Sequence, residues 1–228
     1  MLDPMPSEHP HQPLPVPRGL VFAASGWITV SWVIAMGLDP PLQPSTSVYT
    51  PAARMLLVSL VIGAIVGWPL VRLCSAVPKR PIASSLLDVV TLIALLQVLL
   101  WPLRLVTSWT VDRTLLIDVH GIIWLLLAGG IVALATAREG AIRIWMMFLL
   151  LGWLGLPPLL SNILELPPIM TRISPLSHVW ILASGGPAAP VPGAWQLPII
   201  ELAVAMVVWW AASPPKAPAE VANQGSKR

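Results

Sequence analysis

Long apolar stretches alternate with short polar ones along this chain, and six of the stretches are of a length to cross a bilayer. A helix needs about 20 residues to span a hydrocarbon core of roughly 30 Å. The pattern predicts helices over 19–38, 53–73, 84–106, 115–137, 144–164 and 197–212. The first is free of charge from Gly19 to Leu38. The sixth is the shortest, and Trp209 and Trp210 stand at its end, where aromatic residues collect at a membrane interface. The fold class that follows is all-α: a polytopic membrane protein of six transmembrane helices.

Proline and glycine punctuate the later part of the chain. Pro157 and Pro158 interrupt the fifth apolar stretch. Proline removes a backbone donor and clashes with the preceding turn, so a helix break is expected there, with the helix resuming to Leu164. The segment Ser174-Pro-Leu-Ser-His-Val-Trp-Ile-Leu-Ala-Ser184, followed by Gly185 and Gly186, has the order of a short helix: Ser174 as cap, Pro175 at the first turn and Gly185 as stop. It is too short to cross, which predicts an outer helix between the fifth and sixth spans that lies on the surface or dips in and returns.

Small residues recur at helical spacing in two spans, Ser59, Gly63 and Gly67 in the second and Gly129, Ala133 and Ala137 in the fourth. In lipid, close backbone approach at such residues drives helix association, so both faces are expected to pack against other helices. The segments Gly67-Trp-Pro-Leu-Val-Arg-Leu73 and Leu100-Trp-Pro-Leu-Arg-Leu105 resemble each other. The reading adopted for them is interfacial: Trp68 and Trp101 anchor, while Arg72 and Arg104 extend to headgroups.

Composition agrees with the pattern. The chain is 56% hydrophobic and 10% charged, against roughly 25% charged for a soluble domain. With the amino terminus inside, nine Lys and Arg fall on the cytoplasmic side and four (Arg54, Arg104, Arg113, Arg172) outside. That bias fixes the expected orientation, with both termini cytoplasmic and the most basic loop, Arg72 with Lys79 and Arg80, inside. Residues 1–18 contain six prolines and read as a disordered cytoplasmic tail rather than a signal peptide. Residues 213–228 read as a second such tail, which leaves 19–212 as the transmembrane domain. The excess of basic residues is topological, so no nucleic-acid partner is expected. The single cysteine, Cys74, excludes an intramolecular disulfide and any multi-cysteine metal site.

Candidate chemistry is sparse. Asp88 is expected to complement the dipole in the first turn of the third span, and Gln97 to bond a neighbouring helix. Arg104, Asp118, His120, Glu165 and Glu201 gather towards the outer boundary, together with Arg172 and His178. Charges in a membrane pair, snorkel or line water. The main expectation is therefore interfacial anchoring and ion pairs, and the alternative an ion or substrate path through the first five. His120 and His178 are the only histidines outside the amino-terminal tail. Two imidazoles suit a haem iron but lack a spacing signature, and zinc wants three or four ligands. No metal site and no cofactor is therefore assigned. Nucleotide-binding loops and hydrolase motifs are absent from the sequence, so the expectation is a protein without a catalytic site.

The interrupted fifth span, the Ser174-Pro-Leu-Ser-His-Val-Trp segment and the sixth span together resemble the ABC-2-type permease subunits of ABC exporters. The resemblance covers topology over all six spans and sequence around residues 157–186. The chain departs from that family at its start, where a proline-rich tail replaces a basic amphipathic helix. The resemblance implies a transport permease subunit in a bacterial cytoplasmic membrane, a homodimer, and a separate ATPase partner. The alternative of a different class is a structural or assembly subunit of a larger membrane complex.

Overall fold

The computed structural model describes residues 17–37, 45–138, 140–164 and 171–213. Glu165, residues 1–16 and residues 214–228 lie outside the described residues. Every regular element among the described residues is helical: α1 (Arg18–Met36), α2 (Thr46–Ile62), a π-helical turn (Gly63–Gly67), α3 (Trp68–Cys74), α4 (Pro81–Val106), α5 (Val111–Thr136), α6 (Ile142–Ile163), α7 (Pro175–Ser184) and α8 (Gln196–Ala212). Five helices are long and apolar enough to cross a membrane, with α2, the π turn and α3 running as one of them from Tyr49 to Cys74. The chain is an integral, multi-pass membrane protein in this sense, with α8 a shorter apolar helix.

Local chemistry explains the boundaries. Pro81 and Pro175 begin α4 and α7, where the missing N–H is one the helix leaves unpaired anyway. Thr110 caps α5 by accepting from the Arg113 backbone N–H. Gly37 ends α1 at φ 80°, a conformation that costs glycine little. The π turn precedes Pro69, so the register shifts where a proline would otherwise meet an i−4 carbonyl. Buried and half-buried hydroxyls turn back on their own helices, Thr91 to Leu87, Thr114 to Thr110 and Thr136 to Val132. Polar atoms are thereby satisfied without water.

The bundle is organised around α5, whose membrane-length window is 72% buried, against 6% for α1 and 11% for α6. Helix α5 packs most extensively on α4 and α8. Large apolar side chains point outward instead: Phe22 and Ile34 on α1, Trp145 and Phe148 on α6, Met206 and Trp210 on α8. Helices α5 and α8 run parallel, because contacts climb together: Trp124 meets Glu201, while Gly129 and Gly130 meet Val208 and Trp209.

The small-residue faces are used in part. Gly63 lies under the Trp27 indole, which leaves no room for a Cβ, and Trp27 donates to the Ser59 carbonyl at 3.0 Å. Ser31 and Ser59 share a 2.7 Å hydrogen bond. Gly67 has open space beside it, and Ala137 is exposed. Gly129 receives Val89 and Trp209, and its carbonyl accepts from Ser85 at 2.7 Å.

Five expectations are corrected. Helix α6 is continuous through Pro157 and Pro158 to Ile163, not broken at the prolines. Pro158 cannot donate to the Leu154 carbonyl one turn back, and the Ser174 hydroxyl donates to that carbonyl instead, at 2.5 Å. A partner from another segment thus makes the missing bond unnecessary. Trp68 is buried rather than interfacial and donates to Asp88 at 3.3 Å. Arg72 pairs with Asp88 at 2.7 Å instead of reaching for headgroups, and Asp88 lies beyond the first turn of α4. Trp209 is tucked inward, donating to the Leu126 carbonyl at 2.8 Å, and only Trp210 stays exposed.

Candidate functional site

Helix α5 carries His120 and Trp124 four residues apart, hence on one face. The imidazole Nδ1 of His120 lies 2.8 Å from the Leu116 carbonyl. A carbonyl only accepts, so Nδ1 carries the proton and Nε2 is left with a free lone pair. Helix α8 brings Glu201 to the same face. Trp124 donates to its Oε1 at 3.1 Å, which holds the carboxylate and leaves Oε2 unpaired, 3.8 Å from His120 Nε2.

The third member arrives on α7. His178 sits edge-on to His120 with ring centroids 4.4 Å apart and 5.9 Å from the Trp124 ring. Helix α7 is latched at both ends. At its start Ser174 donates to Leu154 of α6, and Trp153 donates to the Ile173 carbonyl at 3.0 Å. At its end, where carbonyls lack intrahelical partners, Arg113 donates to Leu182 at 2.7 Å and to Ala188 at 2.6 Å, and Trp109 donates to Ala183 at 3.1 Å. A side chain at Gly185 would overlap the Arg113 guanidinium as it is placed here, so Arg113 would have to shift. Arg54 adds a cation–π contact over Trp180 at 4.8 Å.

His120, His178 and Glu201 are all buried, at 0, 6 and 9% exposure. One ligand-competent atom from each lies within 4.8 Å of the others. His120 Nε2, His178 Nδ1 and Glu201 Oε2 are buried without a hydrogen-bond partner.

Of the five residues expected along an ion or substrate path, the fold unites two, His120 and Glu201. Asp118 is buried nearby on α5 but faces α4, accepting from Gln97 at 2.5 Å, and Gln97 in turn accepts from Trp101 at 2.9 Å. Gln97 thus bonds a neighbouring helix, as its sequence position suggested. Arg104 is half-buried on α4, and Glu165 lies outside the described residues. Interfacial anchoring is corrected for Asp118, His120, His178 and Glu201, which are interior. Spacing alone failed to reveal His178 as the partner of His120, because the pairing is made by two latches, Arg113 and Ser174, at the ends of α7.

A second feature is a cavity of about 580 Å³ between α1, the α2–α3 helix, α4 and α5. Its walls are mostly apolar, with Leu20, Trp27, Leu60 and Leu96 among them. Arg72, Ser75 and Asp88 make one end polar, and Ile117, Gly121 and Trp124 line the other. From Asp88 to Leu99 it follows α4 for roughly 16 Å at 1.5 Å per residue. No family model, curated protein or solved structure matches this chain.

Proposed function

We propose that this protein is a multi-pass transport permease subunit that takes an amphiphilic, mostly apolar molecule into the cavity between α1, α2, α4 and α5. The observation that carries the reading is the cavity: long, apolar-walled and lined at one end by the Arg72–Asp88 pair. Such a shape suits a molecule with a hydrocarbon body and a polar head. A subunit with only a scaffolding role gains nothing from an open volume of this size between its own helices.

In this reading the chain crosses the membrane six times, with α8 as the sixth span, α7 as a non-crossing outer helix and both termini in the cytoplasm. The parallel course of α5 and α8 supports it, since α6 is then the one crossing between them. The energy source is a separate ATPase, because the sequence carries no nucleotide-binding loop of its own. Two copies form the working unit, as the permease resemblance implies.

Purification from the native membrane in mild detergent tests the proposal. The expected result is an ATPase that co-purifies and whose turnover responds to added amphiphile. Gly67→Leu, which projects into open space at the cavity wall, should abolish that response while leaving the complex intact. A stable complex without any ATPase, with this chain present as one copy beside unrelated subunits, overturns the permease reading in favour of a structural subunit.

A further inference from the structure

We propose that His120, His178 and Glu201 bind one divalent transition-metal ion, zinc being the best match to their chemistry. The inference rests on side-chain geometry and is independent of the transport reading.

Two neutral imidazoles and one carboxylate form a ligand set that zinc accepts with a fourth position left open. Two of the three residues are prepared for that role by a partner on the far side. The Leu116 carbonyl fixes the His120 tautomer, so that the lone pair on Nε2 faces Glu201. Trp124 occupies Glu201 Oε1 and leaves Oε2 free. Such outer partners orient metal ligands and raise their basicity. His178 completes the set from a helix tied down at both ends.

Distance separates a metal site from the simpler alternatives. His120 Nε2 and Glu201 Oε2 are 3.8 Å apart, too long for a hydrogen bond. Bonds of roughly 2.1 Å to a tetrahedral ion place two ligand atoms about 3.4 Å apart, close to what is seen. The widest separation in the cluster, 4.8 Å, closes by about 1.4 Å on binding. A haem does not fit, because the two rings meet edge-on and leave no slot for a macrocycle. Without a cation, three buried polar atoms on three helices have no partner, an arrangement native interiors rarely keep. It is the one such His and carboxylate cluster among the described residues.

The ion would also join α5, α7 and α8 through one point, leaving the fourth coordination position for water or another ligand. Trp124 both holds Glu201 and lines the apolar cavity, so the two sites share one side chain.

The test uses the full chain purified without a polyhistidine tag. His9 and His11 in the amino-terminal segment are replaced by alanine so that they contribute no zinc. After chelator treatment and dialysis against zinc, elemental analysis should give one zinc per chain, and melting in detergent should shift upward with zinc concentration. Glu201→Gln and His178→Gln should lose the bound zinc, and Trp124→Phe should weaken binding about 10–100-fold. X-ray absorption of the zinc-loaded parent should show two imidazole ligands, which keeps the test decisive if a variant does not survive solubilisation. Zinc uptake by the parent no greater than by His120→Gln, or a bound zinc with fewer than two imidazoles, overturns the proposal.

Discussion

At the scale of single residues, side chains from elsewhere in the chain meet backbone groups that the helices leave without partners. Pro158 is the clearest case. It leaves the Leu154 carbonyl without its helical donor, and Ser174 replaces that donor across 20 residues of sequence. Ser174→Ala should therefore destabilise the bundle by about 0.6–1.7 kcal/mol, the range for hydrogen bonds between membrane helices. Pro158→Ala restores an N–H to the helix, so Ser174→Ala should cost much less in that background. A double-mutant cycle on thermal unfolding in detergent measures the coupling. Equal costs in both backgrounds would show that the hydroxyl makes no compensating bond. The proline pair was visible in the sequence as a point of stress, but its remedy was not. Nothing local to residues 157–158 announces a serine beyond the next turn of chain.

At the scale of elements, the same small-residue pattern has two outcomes, and contact decides between them. Gly129 is pressed by Val89 and Trp209, whereas Gly67 faces open space. Gly129→Val should push α4 and α8 off α5 at a cost of about 1–3 kcal/mol, as overpacking does. Gly67→Ala should leave stability near that of the parent. Melting temperatures of the two variants in one detergent check the contrast, and a stable Gly129→Val variant would mean that α8 does not dock as described. A similar contrast is expected at α7. Arg113→Met removes the donors that hold the Leu182 and Ala188 carbonyls, so protease cleavage after residue 184 should rise while the rest of the bundle stays resistant. Unchanged protection would show that α7 is held by packing alone. The helices themselves were readable from apolar runs, and their observed bounds differ from the expected ones by a few residues at most ends. The use of each face was not readable, because Trp68, Trp209 and Arg72 are residue types that suit an interface and an interior alike. Only the approach of Asp88, Leu126 and Gly129 from other helices determines which they occupy.

At the scale of the whole molecule, orientation and packing give independent arguments for one topology. The sequence argument is the excess of Lys and Arg on one set of loops. Two of the four residues that this reading puts outside are held by structural contacts, Arg113 on the end of α7 and Arg54 over Trp180, as is Arg72 with Asp88 among the nine put inside, which leaves eight against two. The packing argument is the parallel course of α5 and α8, which requires the beginnings of both helices to lie on one side. Single cysteines in a Cys74→Ser background, placed at Ser108 before α5 and at Ala188 before α8, should therefore react with a membrane-impermeant reagent from outside the cell. Cysteines at Lys79 and Arg138 should react only after permeabilisation. Labelling of Ala188 and Arg138 from the same side would mean that α6 does not cross. Parallel α5 and α8 would then be incompatible with both helices spanning, and the carboxylate of Glu201 would have to reach His120 by some path other than a membrane-crossing α8.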